Sequence, residues 1–158
     1  MRNENQPDRP ETGRPDGGLP VLWDRRVIFV ANLLGLFFGN EEETGELMGQ
    51  VGPLETYGGR LVPVLDLIFR GQEDNIVVLE RVPDENLLGY FSRELGMRLP
   101  EIRLLSHQSY QNLRNDDPRN DPDLACLIDE LSENGDAWLD GFVTDSALER
   151  LGELLNLK

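Results

Sequence analysis

The 158-residue chain has one cysteine, one histidine and one lysine, and the lysine is the last residue, Lys158. Each scarcity closes off a class of chemistry. Cys126 alone forms no internal disulfide, which fits a reducing, cytoplasmic setting. His107 alone rules out a multi-histidine metal site. Apart from Lys158, arginine supplies all the side-chain cations. No G-x-G-x-x-G follows the first apolar run, and Gly35-x-x-x-Gly39 lacks the Lys and Ser/Thr of a phosphate loop. No stretch approaches the roughly 20 apolar residues that span a bilayer. Behind Arg2 there is no apolar signal core, so neither export nor a membrane partner is expected.

Carboxylate is what the chain has in excess. Thirty acidic residues stand against fifteen basic ones, a net charge of −15. Such a surface repels phosphate backbones and anionic lipid, so nucleic acid is not an expected partner either. With 39% hydrophobic and 28% charged residues, the composition is that of a globular protein able to bury a core. The length suits a single domain. Residues 1–20 carry Pro7, Pro10, Pro15 and Pro20 among glycines and charges, with no apolar period. They are expected to form a mobile arm, ahead of one domain over 21–158.

Four short apolar runs predict strands: near 27–31, 76–80, 102–105 and 137–143. Val27 to Ala31 and Ile76 to Leu79 are continuous rather than alternating, the pattern of strands buried on both faces of a parallel sheet. Between them lie helix signals. Glu41–Met48 and Leu61–Phe69 are two candidates. Asp84 opens a third helix with Leu87, Leu88, Phe91 and Leu95 on one face and Gly96 at its end. A long polar loop is expected over 115–123, then a short helix from Leu124 to Leu131 before the Asn134-Gly135 turn. Asp145-Ser146 starts the last helix, with Leu148, Leu151, Leu154 and Leu155 inward and Ser146 with Glu149 as a capping box. Alternating strands and helices predict an α/β fold, a Rossmann-like three-layer sandwich with a mainly parallel sheet of about four strands.

In such a sheet, ligands gather at the carboxyl ends of the strands. Those ends hold Asn32, Glu80, Ser106 or His107, and Asp140 to Thr144, a polar and mostly acidic rim. It suits an amine or cation better than a nucleotide. Asn32, Glu80 and His107 are the candidate substrate contacts, and no residue is assigned a catalytic, cofactor or metal role. Glu41-Glu42-Glu43 reads as a solvated helix start, Cys126 as a small core residue, and Trp23 and Trp138 as core aromatics.

Three segments together resemble the pre-ATP-grasp domain, the N-terminal module of ATP-grasp carboxylate–amine and peptide ligases. They are Val27 to Asn32 followed by Asn40-Glu41-Glu42-Glu43, the stretch from Val77 to Tyr90, and Asp136 to Val143 leading into Leu148–Leu155. The resemblance spans about Val27 to Leu157. It implies a noncatalytic module that packs on the ATP-grasp body and helps shape the substrate cleft. ATP and magnesium would then be bound by lobes outside this sequence, whether in a longer protein or on a separate ATP-grasp partner. The residues themselves also admit a stand-alone Rossmann-type domain that binds a ligand or a protein, and a small enzyme built on His107 and nearby carboxylates.

Overall fold

The computed structural model describes residues 25–32, 75–80, 82–115 and 117–157. The arm over 1–20, Trp23 and the expected helices at 41–48 and 61–69 lie outside them. Four strands form one sheet: β1 (Val27–Val30), β2 (Ile76–Leu79), β3 (Glu101–Leu104) and β4 (Trp138–Gly141). Their order is β3-β2-β1-β4, and every pair is parallel. This is the α/β, Rossmann-like arrangement expected from the apolar runs. β1 and β2 are buried along their whole length at the centre, which is why their sequences are unbroken Val, Ile, Leu and Phe. The edge strands β3 and β4 carry Glu101, Arg103 and Asp140 and are only partly covered.

The pleat divides the central strands between two cores. Ile28, Val30, Ile76 and Val78 face one side, packed with α2 (His107–Asn115), α3 (Pro122–Ser132) and α4 (Ser146–Leu155). Their helical partners include Tyr110, Leu113, Leu124, Leu127, Leu131, Leu148, Leu151 and Leu155. Val27, Phe29, Val77 and Leu79 face the other side with Leu88 of α1 (Glu85–Gly89), Leu99, Ile102 and Phe142. There Phe29 and Phe142 meet edge to face at 4.9 Å. Helices therefore cover both faces. Each fully buried aliphatic side chain contributes about 1.5–3 kcal/mol of transfer free energy.

At the amino edge, Asn75 joins three strands. Its side-chain oxygen accepts from the Val27 amide at 3.1 Å, and its carbonyl accepts from Glu101 at 2.8 Å. The chain end beyond α4 turns through Asn156, at φ 53°, with Leu157 N bonding back to Gly152 O. Among the described residues no helix is long and apolar enough to cross a membrane.

Several expectations need correction. A helix not signalled in the sequence forms over 107–115, and the polar run expected as a loop over 115–123 contains a 3-10 turn at Pro118–Asn120. α3 begins at Pro122 because Asp121 caps it, accepting from Asp123 N and Leu124 N. Cys126 is exposed, since the inward stripe of α3 is Leu124, Leu127 and Leu131. Trp138 is 37% exposed on the edge strand, under the Arg25 guanidinium at 5.5 Å. Leu95 is 51% exposed. The helix that starts at Glu85 widens into a π turn over Tyr90–Glu94, closed by Leu95 N to Tyr90 O. That extra residue per turn rotates Leu95 off the face of Leu88. Finally, Asp145 rather than Ser146 is the N-cap of α4.

Candidate functional site

The strand order fixes where a site can form. From β1 the chain proceeds to β2 and β3 on one side, then returns to β4 on the other. The switch point is therefore the crevice at the carboxyl ends of β1 and β4, the place where open α/β sheets bind ligands. Here that crevice is filled by the protein's own side chains.

Asn32 follows β1 and is 4% exposed. Its Nδ2 donates to Val143 O at 2.7 Å and to the Tyr110 hydroxyl at 2.9 Å. Its Oδ1 accepts from Val143 N at 3.1 Å. The amide thus stands in for a backbone partner of the segment after β4. Gly141 allows the approach, because a Cβ there would meet Asn32 Oδ1 and Val30 O at 3.0 Å. Tyr110, on the first turn of α2, passes the chain of bonds on by donating to Asp145 Oδ1 at 2.7 Å. Asp145 Oδ2 accepts from Arg114 at 2.7 Å, and Oδ1 also accepts from Leu148 N at 2.9 Å. Four residues from β1, α2 and the start of α4 form one connected network.

Its electrostatics follow from this geometry. Burial, reinforced by the hydrogen bond to Asp145, pushes the Tyr110 phenol far above its ordinary value, so it stays a neutral donor. Burial alone would raise Asp145, but bonds from Tyr110, the Leu148 amide and Arg114 outweigh it. They hold the carboxyl below the usual range, and Asp145 stays ionised.

Beside the network, between β1 and β2, a small cleft of about 10 Å³ is lined by Val30 to Asn32, Val78 to Glu80, Leu105 and Tyr110. That is room for about one water molecule. Of the residues singled out from sequence, Asn32 and Glu80 both line it. His107 is the first residue of α2, its Nδ1 3.4 Å from Glu80 Oε1 and its Nε2 3.5 Å from Gln111. Both Glu80 and His107 keep about a third of their side chains exposed. Ser106 does not join them. Its hydroxyl caps α2, accepting from Ser109 N at 3.0 Å and donating to Ser109 Oγ at 2.9 Å, so no Ser-His-acid arrangement forms. Among the described residues no group of three or more His, Cys, Asp or Glu could hold a metal ion.

No protein-family model, curated protein or solved structure matches the chain.

Sequence reasoning missed Tyr110 and Arg114 and saw Asp145 only as the start of a helix. α2 reads His-Gln-Ser-Tyr-Gln-Asn-Leu-Arg-Asn, and of its buried residues Ser109, Tyr110 and Leu113 only the last two are apolar. The available signal was the Ser106-x-x-Ser109 start followed by that i, i+3 apolar pair.

Proposed function

We propose that the domain works by docking and not by catalysis, as the noncatalytic module of an ATP-grasp-type carboxylate–amine ligase. One observation carries this reading: the β1/β4 switch crevice is sealed by Asn32, Tyr110, Asp145 and Arg114. Opening it for a nucleotide would break several hydrogen bonds and leave polar groups buried without partners, at about 1–3 kcal/mol each. A net charge of −15 adds to the cost of bringing in a triphosphate. ATP and magnesium belong, on this reading, to a separate ATP-grasp body, and the chain helps to shape the substrate cleft there. A stand-alone Rossmann-type binding domain is the second reading, favoured by the Glu80–His107 pair beside a small open cleft.

Calorimetric titration with ATP–magnesium tests the proposal. The chain alone should bind no tighter than about millimolar, near −4 kcal/mol. Ligase activity should appear only on mixing with an ATP-grasp protein encoded beside it. Micromolar ATP binding by the chain alone would overturn the docking reading. Tight binding of a small ligand without any partner would favour the stand-alone domain.

A further inference from the structure

At the amino edge of the sheet, α3 ends in the turn 133–136, which holds the sequence's one Asn-Gly dipeptide, Asn134-Gly135. Three features meet there. The Asn134 amide is held by three partners: Oδ1 accepts from Arg26 Nη1, and Nδ2 donates to Leu131 O at 3.2 Å and Glu130 O at 3.4 Å. The next residue but one is held too, Asp136 pairing with Arg25 at 2.7 Å. Gly135 by contrast is exposed and uncrowded, with nothing within 4 Å of where a Cβ would stand. Two adjacent arginines at the start of β1 therefore clamp a turn whose centre is open to solvent.

We propose that Asn134-Gly135 is a site of spontaneous deamidation through a succinimide, gated by this arginine clamp. The Gly135 backbone nitrogen attacks Asn134 Cγ and forms a new C–N bond, losing its proton to solvent. The Cγ–Nδ2 bond breaks, and the nitrogen takes up a proton from solvent and leaves as ammonia. Water then opens the ring at either carbonyl, giving isoaspartate or aspartate, and nothing is oxidised or reduced. Glycine at the second position favours ring closure because no Cβ obstructs it. The attack requires Cγ to swing over the Gly135 nitrogen, so the bonds to Arg26 and to the α3 carbonyls must first break. Native packing slows the reaction, and local opening of the turn permits it.

The product would change the joint it sits in. A carboxylate at position 134 has no N–H for the last carbonyls of α3 and places negative charge at the negative end of the helix dipole. Isoaspartate adds a backbone carbon between α3 and β4. The Asp140-Gly141 pair offers an internal control. It is open to the same ring closure in principle, but Gly141 is packed against Val30 O and Asn32 and is held in β4.

The test is timed incubation at mildly alkaline pH, with peptide mapping by mass spectrometry and isoaspartate detection. Wild-type chain, Arg26→Gln, Gly135→Ala and a synthetic peptide of residues 130–139 run side by side. Asn134 should convert ahead of every other asparagine in the chain. It should react at least about tenfold more slowly than in the peptide, an opening free energy of about 1.4 kcal/mol. Arg26→Gln should move the chain toward the peptide rate. Gly135→Ala should suppress conversion in chain and peptide alike while leaving thermal unfolding unchanged. Should Arg26→Gln fail to fold, sub-denaturing urea on the wild-type chain must raise the rate instead. Equal rates in chain and peptide, a rate indifferent to both Arg26→Gln and urea, or another asparagine converting first would each overturn the proposal.

Discussion

Two joints of this chain read almost alike: Val82-Pro83-Asp84 followed by Leu87, and Val143-Thr144-Asp145 followed by Leu148. Both aspartates cap a helix. Asp84 Oδ1 accepts from Asn86 N at 2.7 Å and Leu87 N at 3.2 Å, while Asp145 Oδ1 accepts from Leu148 N. Beyond the cap they diverge. α1 runs five residues, buries none fully and loosens into a π turn. α4 runs ten residues and buries Ala147, Leu148, Leu151, Gly152 and Leu155. A cap sets where a helix begins, but short helices persist in water only when tertiary burial sustains them. Burial also changes what the cap does. Asp84 faces solvent, whereas Asp145 carries Tyr110 and Arg114 besides its helix.

The largest contrast should come from the leucines behind the two caps. Leu151 is 0% exposed on α4, and Leu151→Ala should cost about 2–5 kcal/mol in urea unfolding. Leu95, at the end of the π turn, is half exposed, and Leu95→Ala should stay within about 0.5 kcal/mol. A comparable loss at the two positions would mean that the exposed end of the π turn has a packing partner, and the contrast would fail.

Next in size is Asp145→Asn, which keeps the shape of the cap but removes its charge. Arg114 loses its ion pair, and the expected loss is about 1–3 kcal/mol at neutral pH. The sign of the pH dependence follows from the depressed folded value of Asp145. Its stabilisation is fully present above the unfolded value of about 3.9 and is lost as pH falls through the folded one. The gap between wild type and Asp145→Asn should therefore be constant above about pH 5 and shrink on acidification. Denaturant midpoints measured from neutral pH down to about pH 3 check this. A gap that widens in acid would show that the charge is not what the network holds.

The strands and the site were not equally legible in the sequence. The strands were readable because β1 and β2 are buried on both sides, and only continuous Val, Ile, Leu and Phe satisfy that. Positions at the carboxyl edge followed once the strands were placed, so Asn32, Glu80 and His107 could be named. What Asn32 does could not. Its amide pairs with Val143, 111 residues away, and with Tyr110 on a helix rich in Gln and Asn. No local apolar period announces such a helix, because Tyr110 and Leu113 are its only buried apolar side chains, beside the buried Ser109. The misreading of Cys126 and Trp138 has the same root. Burial in short elements depends on which face meets the sheet: the Leu124, Leu127 and Leu131 stripe of α3 leaves Cys126 outside, and Trp138 stands on an edge strand.

The smallest expected effect is Asp84→Ala, and it is the sharpest test of the comparison. Truncation removes the acceptor for two helix amides, but both lie at an exposed helix start where water can replace the carboxylate. Among the described residues the Asp84 carboxylate has no partner beyond these two amides, so no second group is left orphaned. The loss should be about 0.5–1 kcal/mol, toward the low end for an N-cap. Asp145→Ala removes the same kind of cap and also strands the buried Tyr110 hydroxyl, so its cost should exceed that of Asp84→Ala by roughly the 1–3 kcal/mol of an unsatisfied buried group. Adding Tyr110→Phe to each variant isolates that difference. The second substitution should be less costly in the Asp145→Ala background than in wild type, because the hydroxyl has already lost its acceptor, and unchanged in the Asp84→Ala background. If Tyr110→Phe costs the same in all three backgrounds, Asp145 is only a cap, and the two joints differ in nothing but the leucines behind them.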